Sequence, residues 1–476
     1  MKTRLVKVNR AAEYGGFFAR MGQDGIIDTW KLIHAERSEQ DPVVEAARCL
    51  RDTNVPVAFP TETVYGLGAD ATRSEAVQGI YRAKNRPADN PLIIHVCDLD
   101  MLRSVLVPAA SSTEDPIPAI YKELISRFWP GPLTIILPNP TPSKLAPEVT
   151  SGLSTFGARM PHSSLALALI KLAGVPIAAP SANASTRPSP TTAQHVLEDL
   201  NGRIELILDG GPCDVGVEST VVDGLCDPPV VLRPGGISME QLRSVPGWEG
   251  VQKAYKDQSE TGKGDTAAPR APGMKYKHYS PRAKVILCEV KSKITGKDVY
   301  NEVLREAAAK EEKAKAKEQK AKAKEQRAKQ ANAENDQTAE TAETASKVKK
   351  QWVVGVIRTD EWTSPRLADQ WEEQKRHIDT TPAVVEGSEP ASPAPSRVLG
   401  EKLNFKMWSA DVEGTTIYDL FIGPGPAEVA QDLFSALREL DARGAETIYV
   451  EGIHDHNDIG AAVMNRLRKA ASEIRK

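Results

Sequence analysis

The first half of the chain alternates short apolar runs with polar stretches. Residues 55–59, 92–96, 133–137, 176–179, 204–208, 219–222 and 230–233 are four or five residues long, mostly bounded by Pro, Gly or Asp. Such runs read as buried strands. Between them, residues 41–52 and 74–84 carry helical spacing, and the second places Ala76, Val77, Ile80 and Tyr81 on one face. Pro87 is expected to stop that helix. A first strand at 3–8, followed by a loop insertion, accounts for residues 1–41. Residues 42–245 then form one α/β domain.

A linker is predicted over 246–282, polar at first and then extended through Ala-Pro-Arg-Ala-Pro-Gly. From 283 a second α/β pattern begins. Residues 284–290, 352–357 and 447–453 read as strands of a small parallel sheet. Residues 426–441 read as an amphipathic helix, with Leu433, Phe434, Leu437 and Leu440 on one stripe. A last helix follows Asn457, with Ala462, Val463 and Leu467 inward. Two inserts interrupt this domain. Residues 303–350 contain no Gly or Pro and repeat Ala-Lys-Glu, which suits a solvated helix or a tether. Residues 381–397 are Pro/Ser-rich and read as loop.

Composition narrows the function classes. A chain of 476 residues holds two or three domains. Its 61 Lys+Arg against 64 Asp+Glu argue against a surface built throughout to grip nucleic acid or anionic membrane, but leave room for a basic groove. No run of about 18 apolar residues offers a membrane span. The cysteines Cys49, Cys97, Cys213, Cys226 and Cys288 form no CxxC pair, which disfavours zinc ribbons and disulfide scaffolds and favours a reducing compartment. Lys2, Arg4, Lys7 and Arg10 precede no apolar core of a secretory signal. The cytoplasm is the expected location. The basic, acid-poor N-terminus leaves a mitochondrial pool open.

The common nucleotide motifs are missing: no GxxxxGK[ST] loop, no strand–GxGxxG–helix, no GxSxG elbow. His454-Asp455-His456 lacks an obvious third metal ligand and reads as a surface loop. Cations and hydroxyls instead gather at element junctions. They fall in Pro60–Leu67, in Lys84-x-Arg86-Pro87-x-x-Asn90, at Arg159, in Pro180-Ser181-Ala182-Asn183, in Gly216-Val217-Glu218-Ser219-Thr220, and at Arg233-Pro234-Gly235. Strand ends of an open sheet are where ligands bind. Arginines, lysines and hydroxyls suit a polyphosphate and a small polar acid. Each element alone has an ordinary structural role as a turn, a helix cap or a dipole partner, and His95 in a buried strand suits a core histidine. Their coincidence points to catalysis by positioning and charge stabilisation.

As a set, these motifs with Ser189-Pro190-Thr191 closely resemble the YrdC-domain family of threonylcarbamoyl-AMP synthases. The linker Ala271-Pro272-Gly273-Met274-Lys275-Tyr276-Lys277-His278-Tyr279-Ser280-Pro281 resembles that of the family's two-domain branch. So do Leu433-Phe434-x-x-Leu437-Arg438-x-Leu440-Asp441 and Arg466-Leu467. The implied fold is a YrdC-like twisted mixed sheet with a basic concave face, plus a smaller Rossmann-like α/β domain. The implied reaction condenses L-threonine, bicarbonate and ATP, with Mg2+ accompanying the nucleotide, and releases pyrophosphate. The product would pass to a tRNA threonylcarbamoyl transferase complex for modification of adenosine 37, with tRNA or double-stranded RNA contact as a further expectation.

The resemblance also assigns roles. Thr63, His95, Arg159, Ala179 and Ser219 would hold threonine. Lys84, Arg86, Asn90, Thr155, Ser181, Asn183, Ser189 and Arg233 would hold ATP, with Lys84 and Arg86 catalytic. Tyr276 or Tyr279 would close over the nucleotide, and the sequence leaves open which. Ser185-Thr186 departs from the Ser-Gly common in relatives. Two rivals are a carbamoyltransferase, disfavoured by the missing CxxC fingers, and a non-catalytic RNA-binding module.

Overall fold

The protein is described here by a computed structural model. It covers residues 2–8, 14–18, 29–32, 40–87, 90–107, 114–255, 279–333, 352–360, 362, 405–412, 414–455 and 459–476. The first domain's strands are β1 (Arg4–Lys7), β2 (Gly15–Phe18), β3 (Thr29–Leu32), β4 (Val57–Phe59), β5 (Gly66–Asp70), β6 (Ile93–His95), β7 (Leu133–Pro138), β8 (Thr155–Arg159), β9 (Ile177–Ala178), β10 (Leu206–Asp209), β11 (Thr220–Asp223), β12 (Val230–Arg233) and β13 (Gln252–Lys253). β2 and β3 pair as a separate antiparallel hairpin. The other eleven form one mixed sheet in the order β1-β10-β4-β5-β9-β6-β8-β7-β11-β12-β13.

Glycine shapes the middle of that sheet. β5 has no apolar run to announce it, because Gly66 and Gly68 alternate with Leu67 and Ala69. A Cβ on Gly68 would lie 2.7 Å from the Phe59 ring and 2.8 Å from Ile177. The neighbouring strands thus press so closely that only glycine fits.

The second domain adds β14 (Lys284–Cys288), β15 (Trp352–Arg358), β16 (Lys406–Val412), β17 (Thr415–Phe421), β18 (Thr447–Glu451) and β19 (Glu473–Arg475). Their order is β16-β17-β15-β18-β14-β19, parallel except for the antiparallel edge pair β16–β17. The expected parallel sheet is therefore present with an antiparallel edge strand added. Helices Pro426–Ala442 and Gly460–Ala470 cover it, burying Leu433, Phe434, Leu437, Val463 and Leu467. A helix spans Gly296–Ala333, anchored by buried Val299, Val303 and Ala307 at its start. No described helix is long and apolar enough to cross a membrane.

The two domains share packing. Val217 of the first domain is buried in the second domain's core, beside Leu433 and Phe434. Gly216 beside it adopts φ +78°, and a Cβ there would come within 2.4 Å of the Ala430 carbonyl oxygen. Gly216→Ala therefore meets both backbone strain and helix backbone. A loss of ~2–4 kcal/mol is expected, read as earlier unfolding in a denaturant titration. Wild-type stability in this variant would show that the contact is slack.

Candidate active site

A cavity of about 430 Å³ opens at the centre of the large sheet. The helix Ser74–Lys84 ends at Asn85, whose left-handed φ of 50° turns the chain sharply. The turn delivers Lys84, Asn85, Arg86 and Pro87 to one rim. β6 and β8 run parallel and pair His95 with Arg159 in register. The loop after β9 supplies Ser181, Asn183 and Ser189, and the approach to β11 supplies Glu218 and Ser219. Arg233 ends β12.

Thirteen of the fifteen residues singled out from the sequence line this one cavity: Thr63, Lys84, Arg86, Asn90, His95, Arg159, Ala179, Ser181, Asn183, Ser189, Ser219, Arg233 and Tyr279. Thr155 does not. It begins β8, four residues before Arg159, and four residues of strand carry it about 13 Å along the sheet. Tyr276 lies outside the described residues, as does the rest of 256–278. Tyr279 is 5 % exposed, stacked on Phe434 at 5.2 Å between ring centres.

Arg159 is buried. Its Nη1 donates to Thr63 Oγ1 at 2.8 Å and its Nε to the Gly131 carbonyl at 3.1 Å. Its Nη2 stands 2.6 Å from Glu62 Oε1, an ionic contact without hydrogen-bond alignment. Asn90 Oδ1 and His95 Nδ1 are likewise buried without a hydrogen bond of normal geometry. Buried polar atoms are normally paired. Asn90 Oδ1 and His95 Nδ1, both on residues that line the cavity, mark positions where a polar ligand would complete the bonding.

Lys84 is also buried, at 3 % exposure. Its ammonium donates to the Asn183 carbonyl at 2.5 Å and to the Ser181 carbonyl. Burial, with Arg86 nearby, pushes its pKa well down. It is therefore not the exposed, structurally neutral cation that a helix-end KxR suggests. It ties the helix end to the 181–183 loop, and a third ammonium proton is left for a ligand. Arg86 is half-buried, over the Tyr81 ring at 6.0 Å.

On the opposite wall, Arg233 donates to the Ser219 carbonyl at 3.0 Å and to Ser219 Oγ at 3.1 Å. Thr134 shares a 2.7 Å hydrogen bond with that hydroxyl. Burial lowers the Arg233 pKa to about 10. Two further groups went unassigned in the sequence. Glu218 accepts from Ser189 Oγ at 2.5 Å and from Arg466 Nε at 3.0 Å. Arg187 bonds Asp199 at 2.7 Å. Thr186 adopts φ +75°, a conformation that favours glycine, so its departure from the Ser-Gly pattern falls on a position of backbone strain. Among the described residues, no cluster of three His, Cys, Asp or Glu is placed to hold a metal.

Comparison with known proteins now adds to this geometry. The family model described as "Telomere recombination" matches residues 50–235, and that of the "Threonylcarbamoyl-AMP synthase, C-terminal domain" matches residues 237–472. The threonylcarbamoyl-AMP synthase of Schizosaccharomyces pombe is 42% identical over 448 residues, covering 90% of this chain and 88% of the relative. That of Pyrococcus abyssi is 36% identical over 438 residues, covering 92% and 96%. A crystal structure of P. abyssi Sua5 complexed with L-threonine aligns with TM-score 0.62 at 34% identity, covering 92% of this chain and 97% of that one. The two family models and these relatives thus define a two-domain transferase. The chain belongs to the threonylcarbamoyl-AMP synthase family.

His95 gives a pH test. Burial, with Arg159 adjacent, lowers its pKa to about 3. Between that value and the unfolded value near ~6.5, the unfolded state binds the extra proton, so stability falls as pH falls. His195, buried beside Arg438, contributes with the same sign. His95→Asn should remove up to about 1.4 kcal/mol per pH unit from this acid-side slope. An unchanged slope in denaturant titrations at pH 4 to 6.5 would place the protonation elsewhere.

Proposed function

We propose that this cavity binds threonine and ATP side by side and joins them through a carbamate. The observation that carries the reading is the cavity itself: thirteen of the fifteen residues that the resemblance assigns to threonine or ATP line it together. The reaction is that of the family: L-threonine, bicarbonate and ATP give threonylcarbamoyl-AMP and pyrophosphate. The product serves N6-threonylcarbamoylation of adenosine 37 in tRNAs reading ANN codons. Delivery to a separate transferase complex completes the proposal.

Arg159, held in the cavity wall by Thr63, Gly131 and Glu62, takes the threonine carboxylate, as a planar guanidinium suits. Thr63, held by Thr61 at 2.8 Å, and neutral His95 face the side chain. The Ala179 backbone and Ser219 close that half. Bicarbonate takes up a proton and loses water to give carbon dioxide, which the amine captures, giving the proton back, to form a carbamate. Its oxygen attacks the α-phosphorus, the α–β bridging bond breaks, and the electron pair leaves on pyrophosphate. Lys84 and Arg86 stabilise that charge. An incoming phosphate also restores the counter-charge that buried Lys84 lacks. Asn90, Ser181, Asn183, Ser189 and Arg233 position the nucleotide, and Tyr279 walls it off. Magnesium enters with the ATP phosphates as part of the substrate. The carboxylates nearest the cavity, Glu62 and Glu218, are already tied to Arg159 and Arg466.

Arg86→Ala is the cleaner test of the phosphate side, since Lys84 also anchors a loop. Pyrophosphate release dependent on threonine and bicarbonate should fall about 100-fold or more with the fold intact. Threonine should exceed serine, and valine should be nearly inactive, because a wall built to bond a hydroxyl strongly rejects its absence. Near-normal turnover by Arg86→Ala, or equal rates with valine, would displace these assignments.

A further inference from the structure

The second domain holds no comparable cluster of cations and hydroxyls among its described residues, yet two of its arginines are buried against the first domain. Arg466, on the helix Gly460–Ala470, is wholly buried. Its Nε donates to Glu218 Oε2 at 3.0 Å and its Nη1 to the Pro234 carbonyl. Its guanidinium also lies 5.8 Å from the Tyr279 ring centre. Arg438, on the helix Pro426–Ala442, donates to both oxygens of Asp199, at 2.7 and 3.1 Å, and to the Pro188 carbonyl. Asp199 in turn holds the backbone N–H of Ala184 at 3.0 Å and Arg187 at 2.7 Å.

Glu218, Ser189, Arg233 and Tyr279 all line the cavity, whereas Arg466 does not. A carboxylate in the wall of a polyphosphate site repels its ligand unless its charge is cancelled. Burial alone would push the Glu218 pKa up, but Arg466 and Arg233, with the Ser189 hydroxyl, hold it down, so it remains an anion. Arg233 spends its described bonds on Ser219. Arg466, some 250 residues downstream, is a cation in direct contact with Glu218, beside the Ser189 hydroxyl.

We propose that Arg466 is a positioning residue for ATP. The second domain reaches behind the nucleotide wall, cancels the charge of Glu218 and so aims the Ser189 hydroxyl and Tyr279 ring at the cavity. Arg438 performs the same service for the 181–191 loop through Asp199. The proposal rests on the assignment of the Lys84–Arg233 half of the cavity to ATP. It gives the second domain a part in the reaction without a site of its own.

The experiment is steady-state pyrophosphate release by the full-length enzyme. Wild type must first show dependence on threonine, bicarbonate and ATP; failure there removes the functional reading itself. Arg466→Met should raise KM for ATP about tenfold or more, with KM for threonine changed less than about twofold. Adding Glu218→Gln to Arg466→Met removes the stranded charge. The double variant should return KM for ATP to within about threefold of Glu218→Gln alone. A merely structural ion pair would raise both KM values together, or leave the double variant no better than Arg466→Met, and either result overturns the proposal. Should Arg466→Met fail to fold by circular dichroism, Arg466→Lys decides. It keeps the charge, and KM for ATP should stay within about threefold of wild type. A tenfold rise in the folded lysine variant would contradict charge cancellation.

Discussion

A buried cation must have acceptors, and that requirement organises this molecule. Lys84, Arg159, Arg233, Arg438 and Arg466 are each less than a tenth exposed. Loop carbonyls, hydroxyls and carboxylates surround them, and those partners come from segments distant in sequence. Satisfying Lys84 brings the 181–183 loop to the helix end. Satisfying Arg159 folds Glu62 and Thr63 under β8. Satisfying Arg466 and Arg438 draws the second domain onto the first. Removing one partner from such a pair strands a charge in a low-dielectric setting, which costs more than the pair itself contributes. Lys84, Arg159 and Arg233 line the cavity, and Arg438 and Arg466 stand behind its wall.

The chemistry follows from the same arrangement. The two substrates differ in what they need. On the proposed assignment, threonine's carboxylate, hydroxyl and amine are set against one guanidinium, a threonine hydroxyl and a neutral imidazole. The phosphates of ATP are set against an ammonium, two guanidiniums and a rim of hydroxyls and amides. The proposed reaction requires no nucleophilic side chain, because in it the substrate's own carbamate is the nucleophile. The protein's task is to hold two anions close together, which is possible only where positive charge is already in place and stationary.

Much of this was legible in the residues. Strand ends and helix ends are punctuated by Pro, Gly and Asp, so the junctions at Thr63, Lys84, Ser181, Ser219 and Arg233 announced themselves. Strand β5 did not, because its glycines, with Gly68 required by close strand packing, replace the apolar alternation that would reveal it. Burial of Lys84 was hidden, since its acceptors are backbone carbonyls that leave no trace in sequence. Glu218 was visible inside its motif, but its role depends on Arg466 far down the chain. Thr155 shares a strand with Arg159 and was displaced from the cavity by strand rise alone.

The central claim is that a carbamate made from threonine attacks ATP directly within this cavity. Bicarbonate labelled with oxygen-18, freshly dissolved in ordinary water and read before its oxygens exchange with the solvent, tests it most directly. The attacking oxygen comes from bicarbonate, so it becomes the bridge between carbonyl carbon and α-phosphorus. Hydrolysis of the product at the carbonyl should then yield AMP carrying one labelled oxygen, and unlabelled pyrophosphate. Label appearing in pyrophosphate, or in neither phosphate product while threonylcarbamoyl-AMP accumulates, would contradict attack at the α-phosphorus and with it the account of the site.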